Sequence, residues 1–286
     1  MECNVDEYIK KYIKENIVNQ DYNLNDIYVI IAHYLNISKE KLYLQKANIT
    51  LNSTMSHAID ELLDKLYKQH IPIQYITNTK YFYNEQYFVN ENVLIPRQDT
   101  EILVETAIRY VNNENLDSLL DMCTGSGCIG ISIARNSSIK EITMVDISSD
   151  ALDIALKNAK INQVEKKLTL IQSNLFENII NSKYDVLVSN PPYIKTEVIN
   201  SLDEFVKKEP ILALDGGKSG LDIYIKILEN AWKYLNNNAL VIFEIGYDQL
   251  DSILTLIAKN TSYEVLECIK DFGNNDRVVV CRFHQI

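Results

Sequence analysis

Basic charge is in short supply in this sequence. Its 286 residues hold 28 Lys+Arg against 39 Asp+Glu, a net charge of −11. Binding along a nucleic-acid backbone rests on neutralising phosphates, so no stable nucleic-acid partner is expected. A local basic patch and plain solubility both remain compatible with that balance. Long apolar runs are absent too. None approaches the ~20 residues of a membrane span, so no membrane association is expected. The start, Met1-Glu2-Cys3-Asn4, lacks a basic stretch followed by an apolar one, so no secretory signal is expected. No C-x-x-C occurs. Cys3, Cys123, Cys128, Cys268 and Cys281 are odd in number and scattered. That pattern fits free thiols in a reducing cytoplasm, with no disulfide framework and no metal site. Internal repeats and low-complexity tracts are missing as well. Apolar residues are plentiful at 47%, enough for sizeable cores, and the length suits roughly two domains of ~150 residues.

The first 80 residues or so carry helical periodicity. Val5, Tyr8, Ile9, Tyr12, Ile13 and Ile17 make one stripe. Ile27, Ile30, Ile31, Tyr34 and Leu35 make a second, and Ile59, Leu62, Leu63, Leu66 and Tyr67 a third that ends before Pro72. Ser38 ahead of Lys41 and Leu42 predicts a short capped helix. Residues 1–74 therefore read as a small α-helical bundle. Residues 75–98 read as a connection with a hairpin turning at Asn84-Glu85-Gln86.

Residues 99–286 alternate helix and strand. Helices are expected over 100–111, 129–135, 149–162 with Ser149 as its cap, 221–235 and 249–259. Strands are expected over 119–122, 142–145, 168–171, 185–188, 239–245, 263–269 and 278–283. Only Asp271 to Asn275 and a short run beyond separate the last two strands. A parallel crossover needs about a dozen residues or more, so that pair should be antiparallel. The expected fold class is α/β: a Rossmann-like seven-stranded, mostly parallel sheet, preceded by the helical bundle.

Asp121-Met122-Cys123-Thr124-Gly125-Ser126-Gly127-Cys128-Ile129-Gly130 joins a strand to a helix and satisfies G-x-G-x-x-G. Such a loop permits a tight turn and close backbone approach to a ligand. Asp146 ends the next strand at the spacing where a carboxylate takes a ribose hydroxyl pair. A dinucleotide and S-adenosylmethionine both suit this pattern. Asp121 favours the second, because a carboxylate there would repel a pyrophosphate and attract the ammonium of a methionine moiety.

Asn190-Pro191-Pro192-Tyr193 follows the fourth expected strand, on the sheet edge where α/β folds bind ligands. Two prolines fix φ twice and remove two donors. The Asn190 side-chain oxygen and a backbone carbonyl, that of Pro191, can then grip the two hydrogens of a planar –NH2 group. Tyr193 can stack on the flat group that carries it.

With these motifs the chain resembles the release-factor glutamine methyltransferases over nearly its whole length. The matching segments include Pro72-Ile73-Gln74-Tyr75-Ile76, Ile95-Pro96-Arg97-Gln98-Asp99-Thr100-Glu101, Asp121 to Gly127, Ser173-Asn174-Leu175-Phe176 and Asn190 to Tyr193. Glu209-Pro210, Ala213-Leu214-Asp215-Gly216-Gly217, Phe243-Glu244-Ile245-Gly246 and Asp271-Phe272-Gly273 with Arg277 complete the set. The resemblance implies methylation of the side-chain amide nitrogen (N5) of the Gln in the Gly-Gly-Gln motif of class 1 peptide chain release factors. S-adenosylmethionine would be the cofactor and S-adenosylhomocysteine the product, in the cytoplasm, with the helical bundle helping to dock the protein substrate. By position, Cys123, Thr124, Gly125, Ser126, Gly127 and Asp146 would line the cofactor, Leu175 the adenine, and Asn190 both cofactor and substrate. Arg97 is either a docking charge for the substrate or a bridge between domains. Gln98 stands where the family usually has Pro. Asn174 stands where it often has Asp, though an Asn carbonyl can accept the same bond from an adenine amino group.

Adenine-N6 methylation of DNA or RNA is the main alternative, since it needs the same grip on an amino group. A non-catalytic docking protein is another. Asp271-Phe272-Gly273 resembles a kinase metal motif, but no His-Arg-Asp loop precedes it. Gly217-Lys218-Ser219 resembles a P-loop end, but Leu212 occupies the first Gly position. None of His33, His57, His70 or His284 lies in a motif, so no dedicated base is expected.

Overall fold

The computed structural model describes residues 2–16 and 22–285. The chain divides into two compact units. One comprises Met1–Asn78 with Glu204–Lys208, the other Thr79–Asp203 with Glu209–Ile286.

The first unit is helical, with helices Val5–Asn16, Leu24–Tyr34, Lys39–Gln45, Ser53–Tyr67 and Ile73–Thr77. The expected stripes pack its core: Val5, Ile9, Ile27, Ile30, Ile31, Leu42, Ile59 and Leu63 are buried. Ile17 lies outside the described residues. The Ser38 hydroxyl accepts from the Lys41 N–H as the sequence suggests, and Asn23 and Asn52 cap two further helices in the same way. A two-residue strand pair, Cys3–Asn4 with Thr50–Leu51, is too short to leave a periodic signal. Glu204–Lys208 comes from far along the chain, and Phe205 packs against this core.

In the second unit the hairpin Lys80–Phe82 with Glu85–Tyr87 comes first along the chain. It is part of this unit's body, because Phe82 and Tyr87 are fully buried in its core. Among the described residues a seven-stranded sheet follows. Its strands are β1 (Ser118–Met122), β2 (Glu141–Asp146), β3 (Leu168–Gln172), β4 (Tyr184–Ser189), β5 (Leu235–Glu244), β6 (Tyr263–Lys270) and β7 (Asp276–Phe283). Their spatial order is β3-β2-β1-β4-β5-β7-β6. β7 runs antiparallel to both neighbours and the other pairs are parallel.

Alternate side chains of the central strands enter opposite cores. Leu119, Val186, Val188, Leu240 and Ile242 meet α1 (Glu101–Glu114), α2 (Cys128–Asn136) and α3 (Ser149–Ile161). Leu120, Leu187, Val241 and Phe243 meet α4 (Asp222–Asn230) and α5 (Leu250–Ala258). Burial on both faces explains why these strands read as continuous apolar runs. The order reverses between β1 and β4, which opens a crevice at their carboxyl ends.

Two local expectations change. The cap of α3 is Ser148, whose extended backbone lets its hydroxyl accept from the Ala151 N–H. Ser149 is already inside the helix. The helix expected over 221–235 ends at Asn230, and after a 3-10 turn Leu235 opens β5. Asn236-Asn237-Asn238 hides that strand start, with Asn238 in left-handed backbone and a register shift opposite Tyr184 and Val186.

Candidate active site

Beyond Met122 the chain turns tightly into α2. Cys123, Gly125 and Gly127 all have positive φ, at 63°, 53° and 81°. The left-handed backbone of Gly127 favours glycine, and an added Cβ would also displace the ends of the Met144 and Ile131 side chains. Cys123, and Leu175 at φ 52°, hold this conformation without glycine's freedom. Each stores roughly 1–3 kcal/mol of backbone strain, a kind of cost that clusters at functional sites.

Two carboxylates organise the turn. Asp121 is fully buried, and its Oδ2 accepts from the Thr124 hydroxyl at 2.5 Å and the Gly130 N–H at 3.0 Å. Asp146, at the end of β2, accepts from the N–H groups of Gly125 at 2.8 Å and Ser148 at 3.0 Å. Burial pushes the Asp121 carboxyl up to about 6 against its hydrogen bonds, and raises Asp146 as well. From α3 the buried Asn158 holds the Ser126 carbonyl at 2.8 Å and both backbone groups of Phe88. That brace joins the turn to the segment after the hairpin. Nothing in its local sequence marks Asn158 for it.

A cavity of about 180 Å³ adjoins the turn. Of the residues singled out by sequence, Cys123, Gly125, Asp146, Asn174, Leu175, Asn190 and Pro192 line it. Asp121, Thr124, Ser126, Gly127, Pro191, Tyr193 and Arg97 do not. Asn92, Val93, Ile147 and Ile223 also line it and were missed. Ile147 left a signal, an apolar residue directly after a strand-end acid, and it is 46% exposed.

The lining discriminates between cofactors. Among the described residues it contains the carboxylates of Asp146 and Asp215 and no Lys or Arg. A pyrophosphate would meet like charge and no counter-cation. A sulfonium and an ammonium would meet attraction. Val145, Ile147, Leu175 and Ile223 give a flat heterocycle an apolar wall. The Oδ1 of Asp121 is buried without a partner, an acceptor suited to an ammonium or its hydration water. The Asn174 amide donates to Glu177 at 2.8 Å, leaving its carbonyl as an acceptor. These residues fit S-adenosylmethionine, whose positive charges need no counter-cation in the wall.

Asn190 follows the last residue of β4. Its Nδ2 donates to the Thr100 hydroxyl oxygen over a long 3.4 Å. Pro191 is buried. The half-buried Tyr193, expected as a stacking wall for the substrate, packs against the core on the α4–α5 face and does not line this cavity. Burial pushes its phenol up to about 12. The Tyr193 carbonyl accepts from Gln249 at 3.0 Å. Beyond it, Ile194 pairs with the Leu214–Gly216 segment through bonds of 3.0 and 2.8 Å.

Arg97 is ion-paired with Glu209, which is 4% exposed and also accepts from the Ile95 N–H at 3.0 Å. Both residues belong to the second unit. The Ile-Pro-Arg and Glu-Pro motifs, 112 residues apart, are thus one clasp beside the cavity-lining Pro210. Arg97→Ala should lower stability by roughly 1–3 kcal/mol, because it strands a buried acceptor. Adding Glu209→Gln should recover part of that loss in a urea titration. Equal stability of Arg97→Ala and the parent would show that the pair contributes nothing.

Comparison with known proteins matches this architecture. Residues 98–218 match the Methyltransferase small domain family and residues 10–77 the PrmC N-terminal domain family. A release factor glutamine methyltransferase of Thermodesulfovibrio yellowstonii is 37% identical over 272 residues, covering 94% of this chain and 95% of its own. The protein of that name from Clostridium acetobutylicum is 35% identical, covering 96% of each chain. A methyltransferase structure from Pyrococcus furiosus superposes with a TM-score of 0.52 at 18% identity, over 70% of this chain and 89% of that one. That likeness speaks for the fold alone. With both units and nearly the full length matched, the chain belongs to the release factor glutamine methyltransferase family.

Proposed function

We propose that this protein methylates the side-chain amide nitrogen of the Gln in the Gly-Gly-Gln motif of class 1 peptide chain release factors, in the cytoplasm, with the first unit helping to dock that substrate. The observation that carries the reading is the Asn190 amide, bonded to Thr100, at the rim of a carboxylate-bearing cavity that no Lys or Arg lines among the described residues. Bound S-adenosylmethionine supplies a sulfonium-activated methyl group. Asp146, Leu175, Asn174 and the Cys123–Gly125 backbone are the residues to hold it.

The chain's own task is geometric. The amide nitrogen of glutamine is a poor nucleophile because its lone pair is delocalised. Asn190 Oδ1 and the Pro191 carbonyl accept its two hydrogens, orient the nitrogen and favour its pyramidalisation. They also stabilise the positive charge that grows on the –NH2 group during transfer. Holding two reactants in line is worth ~7–11 kcal/mol of barrier. The methylated nitrogen sheds its proton after transfer, and among the described residues no histidine lines the cavity to take it.

The adenine-N6 alternative would use the same clamp. It is disfavoured by the family match of residues 10–77 and by the curated relatives. Parallel incubation of the protein and methyl-labelled S-adenosylmethionine with release factor, DNA and RNA separates the two. Label is expected in release factor alone. Label in nucleic acid would reverse the assignment.

A further inference from the structure

Glu244 is the last residue of β5 and is 1% exposed. Ser189 on β4 lies opposite Phe243 on β5, so Asn190 and Glu244 emerge side by side at the carboxyl edge of the sheet. Burying a carboxylate costs several kcal/mol unless it is fully compensated. This one is not, for its Oε2 has no partner among the described residues.

The titratable and charged groups around it come from several elements. Arg277 lies on β7, Asp99 ahead of α1, Tyr193 behind β4, Tyr224 on α4 and Cys128 at the start of α2. Arg277 is spent elsewhere. Its Nε and Nη2 donate to Asp271 at 3.3 and 3.0 Å, and its Nη1 donates to the Ile245 carbonyl at 3.2 Å. The hydrogen-bonding groups beside the Glu244 carboxylate that favour its ionised form are the Thr100 hydroxyl and the Asn190 amide. Thr100 has one proton. Once that proton goes to Glu244, Oγ1 can only accept, and it accepts from Asn190 Nδ2.

We infer that Glu244 is a positioning residue that draws the NH2 end of Asn190 toward itself, directly and through Thr100, and so turns Asn190 Oδ1 toward the acceptor amide. This deepens the amide-clamp reading and rests on it. A flipped Asn190 would point N–H groups at the N–H groups of its substrate and lose the clamp. An ionised Glu244 forbids the flip because it can only accept. A protonated Glu244 has an O–H of its own to donate, which frees Thr100 to turn and Asn190 to flip.

Burial raises the Glu244 carboxyl to about 7, opposed by Thr100, Arg277 and Asn190 and reinforced by Asp99. The sign follows: the positioning form dominates above that value and is lost as pH falls through it. In the parent enzyme kcat should therefore drop on the acid side of that value. An infrared carboxyl band should appear over the same range. Glu244→Gln should remove both the band and the pH step. It should also lower kcat at alkaline pH by about 10–100-fold, the range for groups that orient a contacting side chain, while S-adenosylmethionine binding by calorimetry stays close to the parent's.

Thr100→Val breaks the same link without touching the carboxylate and should also lower kcat. It carries the test if Glu244→Gln does not fold. Should Glu244→Gln keep both the parent's kcat and its pH step, or Thr100→Val keep the parent's kcat, the inference is overturned. Should the parent itself transfer no methyl to release factor, the underlying functional reading fails instead.

Discussion

Asn190→Ala is expected to reduce turnover by about 10²–10³-fold, the loss typical of removing one preorganised polar group from the site of charge development. S-adenosylmethionine binding should weaken far less, because Asn190 is one lining residue among many while the wall formed by Asp146, Ile147 and Leu175 is untouched. The effect should fall on kcat, since the interaction strengthens as charge grows on the acceptor nitrogen. Single-turnover methyl transfer together with cofactor titration measures both quantities. Unchanged kcat would remove Asn190 from the reaction. Equal losses in kcat and cofactor affinity would make it a cofactor residue only.

Gly216→Ala should be nearly as severe, for a steric reason. A Cβ at Gly216 would lie 2.6 Å from Tyr193 Cα, 2.7 Å from the Pro192 carbonyl oxygen and 2.8 Å from the Tyr193 carbonyl carbon. All three are backbone atoms of the clamp, so the Pro-Pro segment itself must move. Crowding of this kind costs about 1–3 kcal/mol in stability. A displacement of ~1 Å at a reacting group can cost ~10²-fold in rate. The variant should fold, bind cofactor and transfer methyl about 10²-fold more slowly. Parent-like kcat in a folded Gly216→Ala protein would show that the clamp tolerates displacement.

Both predictions combine features of unequal visibility in the sequence. The Gly loop, Asp146 and the proline pair were legible because each is a local pattern at the end of an apolar strand, and the sheet edge brings Gly125, Asp146 and Asn190 together. The antiparallel final strand was legible from loop length alone. Other features depend on contacts between distant residues, which leave no period behind. Arg97 reads as a free charge until the chain returns with Glu209. Glu244 reads as one polar residue at a strand end until β4 and β5 pair and carry it beside Asn190. Glu204–Lys208 has no local mark of belonging to the first unit. The direction of Tyr193 is set by the path of the backbone leaving Pro192, which is held by Gln249 and the Leu214–Gly216 segment. Side-chain type suggests a stacking wall; the ring is half-buried and also packs against the α4–α5 core. Asp121 reads as a carboxylate for the cofactor; what the sequence does not show is that it is buried, with Oδ2 securing Thr124 and Gly130 and Oδ1 left without a partner.

The central claim is the identity of the methylated atom. Tandem mass spectrometry of a class 1 release factor, after incubation with this protein and S-adenosylmethionine, locates it directly. The predicted result is a single added methyl on the side-chain amide of the Gly-Gly-Gln glutamine, lost when Asn190→Ala replaces the parent. A methyl on another residue, or none, would contradict the account.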